Sequence, residues 1–498
     1  MAKFVAVILL FIILSPAGVA APGASETTEN SALSQQKLAL EIEKLKKEIS
    51  TVIIGPWLQM GTVVIALLAA GISFWSAWRA QASNAASLQA QIEATRKDRI
   101  SHLLKELGSE HGAVRAATVQ ALGEYDTALP YLINLLKYEN DDNVIDTILP
   151  IISSSGCQAL TLLLDHARRI SRRKTWVAGA LSAMGSDMDE IATVTAISKS
   201  YFARWKDSAY GKRYINNFRR RLELHGPDKT EWIATLQRES LQKNDALSSA
   251  YRNILLGIEA TLKTISQSGK SITISDTYLD GVVLDTLDIS EWTFHDCILS
   301  NASFRNTIAK KAVFKSSLLD GASFKGADLR DAVLDGCEIN KASFAKSTLV
   351  RTSLKHVKAY STSFFMAKIR QTNFFGASLV QTDFGKAKGE AIVFASASLM
   401  GANFESAILV RSKFNHARLN GANLSDAHAN GAVFDNANMS GAILTRTNCH
   451  AASFSRTILS AIDAFQDADF HDAVLDDLST YYKLNEHFSD YLCDQLAA

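Results

Sequence analysis

The chain is 498 residues long, 47% hydrophobic and 21% charged, with a formal net charge of +1. That length suggests several domains, and so small a net charge excludes a global attraction to nucleic acid, so any electrostatic steering must be local. The five cysteines, at 157, 297, 337, 449 and 493, are far apart and include no CxxC pair, which excludes a disulfide framework and fits a reducing compartment.

Residues 1–21 read as a secretory signal, with Lys3 as the charged start, Val5 to Leu14 as the apolar run and Gly18-Val19-Ala20 as the cleavage site. An uncleaved anchor is the alternative. Residues 22–56 read as a linker and a short coiled-coil-like helix, because Leu38, Ile42, Leu45, Ile49 and Val52 follow heptad spacing among Glu and Lys. A self-associating coil and a helix leading into a membrane both fit that pattern. Trp57 to Trp78 is 22 residues without a charge, enough for a bilayer core of ~30 Å. Trp57, Trp75 and Trp78 suit the two interfaces, and Arg79, Arg96, Lys97 and Arg99 put the C-terminal side in the cytoplasm. A buried helix is the alternative. The expectation is a single-pass protein of a bacterial-type inner (cytoplasmic) membrane, embedded in the bilayer, with its C-terminal domains cytoplasmic.

Residues 79–107 extend that helix as a juxtamembrane segment. Over 97–190 a period of about thirty residues emerges: "HGAVRAATVQALGEY" at 111, "DDNVIDTILPIISSSG" at 141 and "SRRKTWVAGALSAMG" at 171, with "ALPYLINLLKYE" and "QALTLLLDHARR" between them. Paired amphipathic helices in this arrangement resemble HEAT-type repeats, which implies an α-solenoid. Residues 191–270 read as a helical connector. Within it, Lys199 to Arg221 carries eight basic residues and one acid, Asp207, interleaved with Tyr201, Phe202, Trp205, Tyr210, Tyr214 and Phe218. Three readings stay open: a solvated basic face over an aromatic core, anionic lipid headgroups, or a nucleic-acid backbone.

From 271 to 480 the chain repeats every five residues. Every fifth position from Ile274 is large and apolar, as in Leu279, Leu284, Ile289, Phe294, Leu299 and Phe304, and two places earlier stands a small residue such as Ala302, Ala312, Ala322 or Ala402. Period five is neither helical nor strand-like. A four-sided coil satisfies it, with two of every five side chains inward and three outward. The small residue is needed because the sides converge on a narrow axis. Segments such as "GADLR", "GANFE" and "GANLS" resemble the pentapeptide-repeat family. That resemblance implies a right-handed quadrilateral β-helix with four pentapeptides per coil. Of the seventeen positions 294, 304 and so on to 454, thirteen are Phe and four are Leu, whereas the seventeen interleaved positions hold no Phe. Phe should therefore stack on two opposite sides. About ten coils at ~4.8 Å give a rod roughly 50 Å long, which needs caps at its ends. After Leu459 the register slips by one residue, as a bulge inserts. Residues 481–498 read as a C-terminal capping helix; in resembling proteins such an element can also make a dimer contact, so a homodimer is one expectation. The whole is a multidomain α plus β chain.

No residue pattern in the chain carries catalytic chemistry. Gly269-Lys270-Ser271 lacks the earlier glycine of a P-loop, since Thr264 stands there. The register turns Cys297 inward and His295 outward, and splits Cys449 from His450, so neither is a metal pair. Thr352, Thr362, Thr372 and Thr382 fall inside the coil as satisfied core hydroxyls. No catalytic constellation, metal site or cofactor is expected. The expected role is a membrane-tethered, non-enzymatic scaffold that binds a protein partner. Two alternatives remain: a topoisomerase-protecting DNA mimic, which the family resemblance implies, and an anionic-lipid-binding membrane organiser. DNA mimicry needs an acidic surface, yet 271–480 holds 22 Asp or Glu against 20 Lys or Arg; nucleic acid is not expected as a partner. Sorting outward positions by side puts Lys310, Lys311, Arg330, Arg351, Lys368, Arg370, Lys388 and Arg411 on one side, against Asp328, Asp331 and Glu390. Tyr360, Phe365, Met366 and Phe375 are outward apolars close in sequence. Together they form the expected docking region for an acidic protein or anionic lipid.

Overall fold

The computed structural model describes residues 57–475, apart from 185, 196–198, 224–228 and 463, and five helical residues between 37 and 44. The signal segment at 1–21, nearly all of the 22–56 linker and heptad seam, and the capping helix at 481–498 lie outside the described residues. The chain divides into two compact units, Met1–Lys97 and Asp98–Ala498.

Helix α1 (Trp57–Glu106) begins in the first unit. It has no Gly or Pro after Gly71, so nothing interrupts it as far as Glu106. Val64, Ile65, Leu67, Leu68, Phe74, Trp75 and Trp78 are exposed on it. Among the described residues no helix is long and apolar enough to cross a membrane, so the crossing expected over 57–78 has no support there.

The second unit opens with helices: α2 (Gly112–Leu122), α3 (Leu129–Tyr138), α4 (Asp142–Ser154), α5 (Gly156–Met184), α6 (Met188–Thr195), α7 (Lys199–Asp207), α8 (Ala209–Glu223) and α9 (Lys229–Gln267). Two helix pairs match the first two repeats, but the expected third repeat does not begin as a separate unit. Its opening residues, from Ser171, lie inside the 29-residue α5, because no Gly or Pro separates Asp165 from Lys174. Helix α9 packs across α3, α4 and α5. Arg115 ties α2 to the end of α3 by a two-pronged bond to Glu139, 2.9 Å on each arm. Burial would raise the Glu139 carboxyl, but Arg115 and the N–H groups of Asn140 and Asp141 hold it below the usual range.

Gly269, at φ +67°, ends the run out of α9 in a left-handed cap; the segment that resembles a P-loop tail is this helix stop. The coil follows. It has two small parallel sheets, β1 (Thr273–Ser275), β2 (Thr293–His295) and β3 (Val313–Lys315), then β4 (Lys388–Glu390) with β5 (Ile408–Val410). Elsewhere single parallel bridges join residues twenty apart, such as Ser323↔Ser343 and Asn403↔Asn423. Twenty residues per coil is four pentapeptides. Past Asn438↔Ile458 the step becomes twenty-one, at Ile443↔Ala464, Asn448↔Asp469 and Ser453↔Val474, which is the expected one-residue insertion.

The interior follows the five-residue register. The large residues and their small partners are buried from Ile274 to Phe470, except for the half-buried Leu287 and Phe465. Phe rings form two columns, one through Phe304, Phe324, Phe344, Phe364, Phe384 and Phe404, stacked at 4.6–5.0 Å. The other column meets it edge-on across the axis, as Phe374 meets Phe384 at 5.6 Å and 84°. Interior hydroxyls donate to carbonyls of the preceding coil, Thr352 to Leu329, Thr362 to Ile339 and Thr372 to Leu349, at 2.6–2.7 Å. Cys297 is buried and its thiol sits 3.3 Å from the Ile274 carbonyl; burial pushes that thiol up to about 11. At Gly389 the large position is empty, and Ile392 fills the gap from the neighbouring small position; a Cβ at 389 would meet Ile392 Cδ1 at 2.4 Å.

Helices close the first coil on all four of its sides. Arg168 donates to the Ser275 carbonyl (2.6 Å) and Tyr251 to the Asp280 carbonyl (3.1 Å). Glu259 accepts from the Val283 N–H (2.7 Å), and Ser266 bridges the N–H and carbonyl of Asp288. This supplies the cap that the open end of a solenoid requires.

The register makes a direct prediction. Ala402→Phe forces a second large group onto the axis and should cost roughly 1–3 kcal/mol or more, whereas Glu405→Phe on the exposed corner should leave the denaturation midpoint nearly unchanged. Equal tolerance at the two positions would contradict the register.

Candidate functional site

The pentapeptide register turns the coil's functional possibilities outward. Each unit bends at a corner residue with φ between +50° and +75°, one every five residues from Asp276 to Ala461. Such corners favour Gly, yet Lys341, Arg351 and Arg411 occupy them. A left-handed corner points its side chain away from the axis, so these cations are displayed rather than packed.

One side, over Leu279, Leu299 and Leu319, is partly covered by helices. Tyr201 and Tyr251 meet the Tyr278 ring edge-on at 5.6 and 5.5 Å, and farther along Arg204 bonds Glu338 at 2.8 Å. Between them Lys174 is buried with its ammonium 5.0 Å over the Tyr251 ring. Burial lowers it to about 8, against the pull of Asp280.

The opposite side carries the expected basic residues, and the structure divides them. Lys310 and Arg330 share Asp328, and hydrogen bonding to Arg330 holds that carboxyl below the usual range. Lys311 pairs with Glu291 at 3.2 Å, Arg351 with Asp331 by two bonds of 2.6 and 2.7 Å, and Arg411 with Glu390. These five are therefore largely neutralised. Lys368, Arg370 and Lys388 are exposed and make no ion pair among the described residues. Lys368 and Lys388 are moreover bridge partners in successive coils.

The four apolar residues do not form one patch. Tyr360 lies on the side opposite the basic one, Phe365 and Met366 on one flanking side, and Phe375 on the other, as the twenty-residue register requires. Sequence proximity misleads here, because one coil passes through all four sides. Phe365 is half-buried, lying close over Gly385, and Phe375 meets His356 edge-on at 5.5 Å. Met366 and Phe375 remain exposed.

Reading the sequence by side missed the ion pairs, although their signal is present. Asp331 and Arg351, Glu338 and Lys358, and Asp426 and Arg446 stand twenty residues apart, one coil on. Among the described residues no group of three or more His, Cys, Asp or Glu is placed to hold a metal ion.

The junction titrates in an accessible range. Burial raises Glu259 from 4.5 to about 7, despite its bond from Val283. The folded chain therefore holds that proton more tightly than the unfolded chain, and stability falls as pH rises from about 4.5 to about 7. Lys174 acts only above about 8, outside this window. Glu259→Gln keeps an acceptor for Val283 and should flatten this part of the melting-temperature profile between about pH 5 and pH 7.5; an unchanged slope would contradict the assignment.

Two family models match the coil. One, a pentapeptide repeat region, covers residues 287–364. The other, pentapeptide repeats in eight copies, covers 397–435 and 422–460. No curated protein matches the chain significantly. Among solved structures, the chain is similar to HetL, a pentapeptide-repeat protein involved in heterocyst differentiation regulation from the cyanobacterium Nostoc, at 21% identity over 43% of this chain and 95% of that one, with a TM-score of 0.26. It is similar to QnrB1, a plasmid-mediated fluoroquinolone resistance protein, at 15% identity over 46% and 98%, with a TM-score of 0.28. A pentapeptide-repeat protein of the Arabidopsis thaliana thylakoid lumen is 26% identical over 26% and 74%, with a TM-score of 0.17.

Proposed function

Starting from a chain that carries a pentapeptide-repeat domain, we propose that it is a non-enzymatic interaction protein. The coil is its scaffold, and the unpaired cations Lys368, Arg370 and Lys388 are the centre of a surface that docks an acidic protein partner. One observation carries this reading: Lys368 and Lys388 face each other across adjacent coils with no acid between them. Like charges directly opposite on neighbouring strands are destabilising, and the same side solves that problem elsewhere with Asp331 under Arg351. A partner's carboxylates would relieve the repulsion, and Met366 and Phe375 on the two flanking sides offer apolar contact at the rim. DNA mimicry is not favoured, since the unneutralised charge on this side is positive.

A second reading, membrane tethering, is favoured by the exposed run from Val64 to Trp78 on α1. Arg79 sits 5.1 Å over the Trp75 ring at one end of that run, a pairing suited to a headgroup interface, and the charge-free sequence reaches back to Trp57. In this reading the coil is held on the cytoplasmic side of a bacterial-type inner membrane.

The docking surface is tested by changing Lys368, Arg370 and Lys388 together to Glu. All three point outward, and the like-charge contact between 368 and 388 is kept with its sign reversed, so the melting temperature should hold. Partner captured by cross-linking from native material should fall at least tenfold, and wild-type capture should weaken with added salt, as screened charge requires. Capture that is undiminished and insensitive to salt would show that the side is only solvated surface.

A further inference from the structure

Helix α8 presents a second cationic surface, away from the coil's basic side. Its apolar half is already used. Tyr214 stacks on Phe218 (6.3 Å, 25°) and meets Trp205 of α7 edge-on (5.9 Å, 62°). Both Trp205 and Tyr214 press on Gly179 of α5, where a Cβ would come within 2.7 Å of Trp205 and 3.0 Å of Tyr214. Ile215 is buried beneath. Positions 212, 213, 216, 217, 219 and 220 share the other half of the helix at 100° per residue. They are Lys212, Arg213, Asn216, Asn217, Arg219 and Arg220, all exposed. No acid occurs between Asp207 and Glu223, and none of the four cations makes an ion pair among the described residues. This contrasts with the coil's basic side, where Lys310, Lys311, Arg330, Arg351 and Arg411 each have a carboxylate partner.

We propose that this face of α8 binds the anionic headgroups of a phospholipid surface. The physical form of the face selects that occupant. It is a helix fixed along its apolar half, so it cannot insert and must lie flat at headgroup depth. Its exposed half is only cations and amides, without the buried aromatic anchors that centre a protein interface. Single-stranded nucleic acid is bound on exposed aromatic platforms, and here Tyr214 and Phe218 are half-buried, Tyr214 against Gly179 of α5 and Phe218 stacked on Tyr214. A cluster of four cations on one face is attracted to an anionic bilayer without any pocket. The proposal deepens the membrane reading above but does not require residues 57–78 to cross a bilayer.

The test uses the full chain with Asn216→Cys carrying a fluorophore, and with Cys157 and Cys493 changed to Ser. It is mixed with vesicles that contain a headgroup-labelled quencher lipid. One set is phosphatidylcholine alone and the other includes about 30% phosphatidylglycerol. Quenching should be several-fold stronger with the anionic vesicles and should fall to the neutral level at about 0.5 M salt. The quadruple variant Lys212→Gln, Arg213→Gln, Arg219→Gln, Arg220→Gln should lose it, while its circular dichroism matches the parent. Equal quenching by both vesicles, or an unaltered quadruple variant, overturns the proposal. A label that responds to single-stranded RNA but not to anionic vesicles overturns it in favour of nucleic acid. Co-sedimentation with the neutral vesicles reads the 57–78 segment separately. Its failure with α8 quenching intact removes only the tether, and its success with α8 quenching absent removes only this proposal.

Discussion

Phe364 lies between Phe344 and Phe384 with ring planes within 10° and centroids 4.9 and 5.0 Å apart. That sandwich repeats along the coil axis and sets the terms for the rest of the chain. Stacked rings hold one coil above the next at the spacing their backbone hydrogen bonds need, as from Phe364 N to the Asp383 carbonyl at 2.6 Å. Offset ring pairs contribute about 0.5–1.5 kcal/mol each beyond their buried area. The small residues opposite them exist because the axis has no more room, which the exchange of Gly389 and Ile392 shows directly. With the interior filled, groups such as the Thr352, Thr362 and Thr372 hydroxyls and the Cys297 and Cys337 thiols are committed to carbonyls of the coil before. Chemistry has to be sought outside.

Outside, the same register decides what meets what. Residues twenty apart are neighbours, so charge pattern at that interval is surface structure. Asp331 under Arg351 and Asp426 under Arg446 neutralise each other, whereas Lys368 under Lys388 does not. Exposed pairs of this kind contribute little to stability, about 0–1 kcal/mol. Their weight lies in specificity: on the basic side they remove five cations from the set available to a partner and leave Lys368, Arg370 and Lys388. The helices act on the same scaffold at its first coil, with at least one bond to each side, and reach along one side as far as Glu338. Beyond the first coil, no helical side chain among the described residues bonds the basic side.

Much of this was legible in the sequence, and the reasons for the exceptions are physical. The coil, its twenty-residue turn, the opposed Phe columns and the one-residue slip after Leu459 follow from a strict period that no other element shares. The left-handed corners were less visible because Gly marks only some of them, such as Gly321, Gly326 and Gly401, while Lys, Arg, Asn and Asp stand at others. The apolar cluster failed because nearness in sequence is not nearness on a coil: Tyr360 and Phe375 lie on different sides. In the helical part, a thirty-residue echo at Ser171 suggested a new helix, but continuity needs only the absence of a breaker, and α5 runs through. The docking of α5, α7 and α9 on the first coil was illegible, since Arg168, Tyr251 and Glu259 act through partners that no local pattern encodes.

The account rests most heavily on the twenty-residue register, because every assignment of a side chain to the axis, to a side or to a neighbour follows from it. Disulfide formation reads that register directly. Ser323 and Ser343 are bridge partners on the outward face, at the strand spacing of ~4.8 Å that a disulfide between Cα atoms can span. In the chain with Ser323→Cys and Ser343→Cys, mild oxidation should close a crosslink between 323 and 343 in nearly all molecules without loss of stability. Ser323→Cys with Glu338→Cys, one side away, should remain reduced. A crosslink that forms between 323 and 338 and not between 323 and 343 would contradict the four-sided coil, and with it the surface assigned here.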